Sequence, residues 1–144
     1  MNMRDSYSNM RAVRTVSPVA VGTTGTGQTG KPVDRSGFEG VTIVADYGSI
    51  TATNATFTLV VKEGDATGSL TSVANSDLIG TEAAAGVGAT ATRTSGTSKN
   101  VSKRVGYIGN KKYVSADIVS TVTAAVPVAA TVLLTHPKHA PATA

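Results

Sequence analysis

The sequence predicts an all-β fold, a β-sandwich or jelly roll of about seven or eight short antiparallel strands with an extended N-terminal arm. Three observations predict it. From Gly37 onward apolar residues recur with a period of two; turn-forming clusters of Gly, Asn, Asp and Ser separate the alternating runs; and the apolar content comes mostly from Val, Ala and other small or β-branched side chains. A chain of 144 residues suits one domain with a single core between two layers. With no Trp, two Phe and four Tyr, that core has to be built from Val, Ile, Leu and Ala. Modest intrinsic stability, supplemented by association, is the expectation.

Composition divides the chain at Gly37, into an arm and Gly/Thr-rich tether over residues 1–36 and a sandwich over 37–144. Met10 to Val16 alternates in polarity, and the run from Gly22 to Gly30 is almost wholly Gly and Thr, a composition that does not pack. Residues 10–16 are therefore either an arm that orders on a partner or a first strand that pairs within its own sheet. Val41, Ile43, Ala45 and Tyr47 define the next strand, and Phe57, Leu59 and Val61 the one after, with Gly48 to Asn54 as the turn between them. Leu70 to Val73 and Asp77 to Ile79 supply short strands or an irregular edge. Thr81 to Lys99 reads as a long loop, with one helical turn available at Glu82–Ala85. Val105 and Tyr107 share one strand face, with Tyr107 directed into the core. Gly109-Asn110 suits a tight hairpin turn, and Val114, Ala116, Ile118 and Ser120 alternate on the returning strand. The last strand, Val126 to Thr135, is nearly continuous in apolar residues. It fits a central strand buried on both faces, or one covered by a neighbouring subunit.

Several kinds of chemistry are disfavoured. There is no Cys, and His136 and His139 alone do not make a zinc site. Gly25-Thr26-Gly27-Gln28-Thr29-Gly30-Lys31 has phosphate-loop spacing, but Pro32 stands where a metal-binding hydroxyl belongs. Glu39, Asp46, Glu63, Asp65, Asp77 and Glu82 lie in turns or on polar strand faces, without spacing that specifies a shared catalytic cleft. No Gly-x-Ser-x-Gly elbow occurs. No catalytic residue, cofactor or metal is expected, and the chain reads as a structural or binding protein. No apolar run reaches the roughly 18 residues of a membrane span, and the N-terminus does not read as a signal peptide, so synthesis in the cytosol is expected. The sequons at Asn54 and Asn100 read as coincidence in a Thr- and Ser-rich chain.

Charge is distributed unevenly. Between Glu39 and Glu82, Lys62 faces six carboxylates, whereas Arg93, Lys99, Lys103, Arg104, Lys111 and Lys112 follow with no acid among them. This is either a solvated basic hairpin or a basic edge that meets an acidic surface. A protein partner is favoured over nucleic acid, because Tyr107 points inward and is not free for base stacking.

Four segments carry a resemblance: Gly37-Phe38-Glu39-Gly40-Val41-Thr42, Ser76 to Ala83, Arg104 to Val114, and Leu133 to Pro141. Together they resemble the small capsid cement (decoration) proteins that tailed bacteriophages make alongside their major capsid protein. The resemblance implies a jelly-roll protein, made in the host cytoplasm, that sits on the outer surface of the virion capsid and clamps neighbouring major capsid protein subunits. It implies capsid contacts through basic residues, for which Arg4, Arg11 and Arg14 of the arm and Lys99, Lys103, Arg104, Lys111 and Lys112 are candidates. A homodimer at twofold contacts is preferred and a trimer is open, with Val128, Ala130, Val132 and Leu134 of the apolar last strand as oligomer contacts. The alternatives are a head-completion or tail-associated virion protein and a carbohydrate-binding sandwich.

Overall fold

The alternation becomes two antiparallel sheets packed face to face. The computed structural model describes residues 5–21, 28–50, 56–87, 100–120 and 126–139. Its elements are β1 (Met10–Val21), β2 (Val33–Asp34), β3 (Phe38–Tyr47), β4 (Phe57–Gly64), β5 (Thr71–Ser72), β6 (Leu78–Ile79), the single-turn helix α1 (Glu82–Ala85), β7 (Val101–Tyr107), β8 (Tyr113–Ser120) and β9 (Val126–Pro137). The first sheet runs β1-β9-β3-β7-β6 and the second β2-β8-β4-β5. This is the predicted all-β sandwich, with nine strands among the described residues.

Alternate residues point inward, as the two-residue period requires. Val41, Ile43, Ala45 and Tyr47 of β3 meet Phe57, Leu59 and Val61 of β4 and Val114, Ala116 and Ile118 of β8, all buried. The aliphatic core still leans on rings, because Tyr47, Tyr107 and Phe57 are the largest fully buried side chains. Tyr47 and Phe57 are tilted with centroids 6.3 Å apart. The Tyr47 hydroxyl donates to the Ala85 carbonyl of α1 at 2.9 Å, so this ring does not bury an unpaired polar group.

Of the two readings of residues 10–16, the structure shows the second. β1 pairs antiparallel with β9 from Met10↔Thr135 to Val21↔Val126 and forms the edge of the first sheet. Pro18 is accommodated there because an edge strand tolerates a missing donor. The register slips between Arg14 and Val16, and the extra residue, Thr15, turns its side chain toward the other sheet. Its hydroxyl donates to the Lys31 carbonyl at 2.9 Å and accepts from the Ala116 N–H of β8 at 3.2 Å. Lys31 N–H returns a bond to the Thr15 carbonyl at 2.7 Å. One buried threonine thus stitches the sheets together along one side.

Residues 22–27 of the expected tether lie outside the described residues, but its end packs. Gln28 bridges Ile118, and Gly30 passes so close to β8 that a Cβ would meet the Ala116 carbonyl oxygen at 2.0 Å. Glycine here serves close approach, which composition alone does not distinguish from a linker. The Gly30 N–H donates to Asp117 at 2.8 Å, and Asp117 is held by Lys62 at 2.6 Å. On the opposite side α1 packs against β4 and β7. The Thr81 hydroxyl caps α1 by accepting from Ala84 N–H at 3.0 Å, and Glu82 accepts from Val61 N–H on the β4 edge at 2.6 Å.

Two expectations are corrected. β7 and β8 are not a hairpin: β7 pairs with β3 and β6, β8 with β4 and β2, and Tyr107–Tyr113 crosses between sheets. Alternation sets which residues face the core but not which strand lies alongside. Ile108 N–H donates to the Asp77 carbonyl at 2.9 Å. A Cβ on Gly109 would lie 2.5 Å from the Tyr107 hydroxyl, so this glycine makes room for the ring rather than a hairpin turn. Nor is β9 buried on both faces. Val126, Val128, Ala130, Val132 and Leu134 point into the core while the residues between them are partly or fully exposed. The strand buried on both faces is β8, whose Ser115 and Asp117 are also buried.

Candidate functional site

The charges separated along the sequence are brought together by the fold. Lys62 pairs with Asp117, Lys111 with Asp65 at 2.7 Å, and Lys112 approaches Asp34 at 3.9 Å. The last two pairs sit at one end of the sandwich, where β1 and β3 begin and β4, β7 and β9 end. Arg35, Lys111, Lys112 and Lys138 line a polar hollow of about 260 Å³ there.

Tyr107 organises this end. Its hydroxyl donates to Glu63 and accepts from Lys111 N–H at 3.1 Å. Burial, aided by the bond to Glu63, pushes its pKa up to about 12. The Arg35 guanidinium lies 5.7 Å from the ring centroid and donates to the Lys111 carbonyl at 2.6 Å. The crossover is therefore tied down at both faces, and its two lysines leave a fixed base. Lys112 Nζ lies 5.1 Å over the Tyr113 ring. Hydrogen bonds from Ser36, with Lys112 and Arg11 adding attraction, hold the Asp34 carboxyl below its ordinary pKa. Lys111 does the same for Asp65, whose carboxylate in turn raises the Lys111 pKa. Both Lys111 and Asp65 are exposed, so the pair contributes little to folding and exchanges readily for another partner.

β9 ends in a bend that completes the site. His136 takes φ +54°, a left-handed conformation that His, Asn and Asp adopt more readily than other non-glycine residues, and its Nδ1 lies 3.0 Å from the Thr135 hydroxyl. The turned chain lets Lys138 N–H reach the Gly37 carbonyl at 2.8 Å, which delivers the Lys138 side chain beside Arg35.

The sequence-derived candidates scatter over several surfaces. Arg4 and Lys99 lie outside the described residues. Lys111, Lys112 and Arg11 belong to the basic end. Arg14 is exposed beside Thr131, on the outer face of the first sheet. Lys103 and Arg104 are consecutive on β7 and so point to opposite sides, Lys103 half-buried and Arg104 exposed. Val128, Ala130, Val132 and Leu134 are no more than 2% exposed within the chain's own core, so none is on a surface that a second subunit could cover. Sequence reasoning missed Arg35 and Lys138. Neither carries a local signal, and the β3–β9 register, with Phe38 opposite Pro137, is what joins them.

The four segments that carry the family resemblance converge at this end. Gly40 pairs with Thr135, Val41 with Tyr107, and Leu78 with Tyr107. Beside the basic hollow, on the outer face of the first sheet, the same segments line a second one of about 520 Å³.

No family model matches the chain, and no curated protein matches it. Among solved structures the chain is similar to one in the structure of infectious bursal disease virus, Gx strain. That match has a TM-score of 0.52 and 9% identity, over 90% of this chain and 32% of the other. A second is the Clostridium thermocellum endo-1,4-β-D-xylanase 10B, CBM22-1 and GH10 modules complexed with xylohexaose, at TM-score 0.47 and 10% identity, over 96% of this chain and 28% of that one. The chain spans about a third of the length of each. At 9% identity the likeness to the viral chain shows the β-sandwich fold alone.

Among the described residues no three His, Asp or Glu side chains are grouped as metal ligands, and no helix is long and apolar enough to cross a membrane.

Proposed function

We propose that this chain is a structural, non-catalytic virion protein that binds the outside of a tailed-phage capsid and cements neighbouring major capsid protein subunits. The observation that carries the reading is the convergence of four resemblance segments, far apart in sequence, on one end of the sandwich with Arg11, Arg35, Lys111, Lys112 and Lys138. A rigid basic end suits an acidic shell surface, and its exposed ion pairs can be exchanged across an interface at small cost. The solved viral neighbour supports the reading at the level of fold.

Cementing needs more than one contact per particle. Each bound site raises the effective concentration of the next, so a dimer or trimer stabilises a shell without new chemistry. The self-contact has to use a surface other than the inner face of β9, which the chain's own core occupies. A glycan-binding sandwich wants a platform of exposed aromatics, and among the described residues Tyr7 is the aromatic that stands well clear of the surface.

The test is sedimentation of purified protein with expanded, empty capsids of the cognate phage, counting bound copies per shell over a salt series. The expected result is saturable binding at a copy number matching a symmetry-related set of capsid sites, weakening as salt rises. No binding contradicts the reading, and a handful of copies favours a head-completion or tail-associated role.

A further inference from the structure

The hollow on the outer face of the first sheet is built differently from the basic end. Its floor is Gly40, Thr42 and Gly106, and Ile79 and Ile108 stand at its rim, 63% and 58% exposed. Two branched apolar side chains so exposed over one depression form a patch rather than the scattered exposure that soluble surfaces tolerate. The floor is set by its neighbours: a Cβ on Gly106 would lie 3.0 Å from Ile79 Cβ, and one on Gly40 would meet the Thr135 hydroxyl at 2.1 Å.

Two further features lie along the same side. β6 reaches only Tyr107 and Gly106, because Gly80, at φ +90°, turns the chain away. Ile108 N–H bonds toward β6, so by strand alternation the main-chain groups of Arg104 and Ser102 point to the same edge, beyond its reach. The Arg104 side chain is exposed and makes no ion pair among the described residues. Glu39 and His136 also line the hollow, but Glu39 lies five residues along β3 from Val44, the register partner of Arg104.

We infer that this hollow seats an extended segment of the shell protein that carries an apolar side chain next to a carboxylate. The apolar group sits over Gly106 between Ile79 and Ile108, the carboxylate meets Arg104, and the segment's backbone runs along the part of the β7 edge that β6 leaves unpaired among the described residues. The chain's net charge of +4 favours an acidic occupant over a second copy of itself. The inference rests on the cement reading and gives its partner a chemistry. Docking then has a salt-sensitive part at the basic end and a salt-resistant part in the groove.

The experiment measures binding of the full chain to expanded, empty capsids at low and high salt. The wild type is expected to retain saturable binding at high salt, where exposed ion pairs are screened. Ile79→Ser combined with Ile108→Ser is expected to remove that residue of binding, weakening high-salt affinity at least about tenfold, with an unchanged thermal melt because both side chains are exposed. Arg104→Glu, also exposed, is expected to weaken low-salt binding by about threefold or more. Unchanged affinity in both variants, with wild-type binding intact, overturns the groove and leaves the cement reading standing. A wild-type dimer in sedimentation velocity that the isoleucine variant abolishes overturns the occupant in favour of a second copy. Failure of the wild type to bind shells at any salt defeats the cement reading and the inference with it.

Discussion

The outer faces of the two sheets handle charge in opposite ways. On the second sheet Asp117 is 7% exposed, pairs with Lys62 and accepts from Gly30 N–H. Its charge holds the segment before β2 against β8. On the first sheet Arg14 and Arg104 stand exposed without an ion pair among the described residues, and Asp46 is taken up by Ser102. A charge committed to an internal partner builds the fold, whereas one left exposed beside an apolar depression is available to another molecule. Substitutions on the two faces should therefore separate folding from binding.

The largest effect on stability is expected at Asp117. Asp117→Ala removes a buried acceptor from Gly30 and leaves Lys62 unpaired, at a cost of about 2–4 kcal/mol in denaturant unfolding; Lys62 is a third exposed, which keeps the loss below that of a fully buried pair. Thr15→Val keeps the shape but strands the Ala116 N–H and the Lys31 carbonyl, and should cost about 1–3 kcal/mol by the same measurement. Tyr107→Phe loses the bond to Glu63 and should cost about 1 kcal/mol near neutral pH.

Tyr107 also makes a pH prediction. Its pKa is raised in the folded protein to about 12, so the folded state holds its proton where the unfolded chain has lost it. The stabilisation is complete below about pH 10 and is lost as pH rises through about 12. A melting temperature that falls over this window in the wild type should fall less in Tyr107→Phe. Part of the slope should survive, because burial raises Tyr47 in the same direction. The smallest effect on stability belongs to the exposed cations. Lys111→Glu with Lys112→Glu, or Arg104→Glu alone, should leave the denaturant unfolding midpoint nearly unchanged while weakening shell binding.

Strand positions were legible because alternation is a local signal: the inward residues of β3, β4 and β8 are those the two-residue period selects. Partners were not legible. Gly109-Asn110 has the composition of a hairpin turn, yet Tyr107 occupies the space around Gly109 and the chain crosses to the other sheet. Gly30 reads as linker and is a close-contact residue. The continuous apolar run of β9 suggested two buried faces, but Ala129, Thr131 and Leu133 are small or only partly covered on the outer side. The basic end was half legible. Lys111 and Lys112 stand in the sequence as a cluster, whereas Arg35 and Lys138 join them through a strand register that no local pattern encodes.

The most direct test of the account is a cryo-electron microscopy map of expanded capsids saturated with this protein, fitted with the sandwich. The end bearing Arg35, Lys111, Lys112 and Lys138 is expected to face the shell and contact acidic side chains of the major capsid protein. A map in which that end points to solvent, with the outer face of the second sheet or the opposite end of the sandwich seated on the shell, would contradict it.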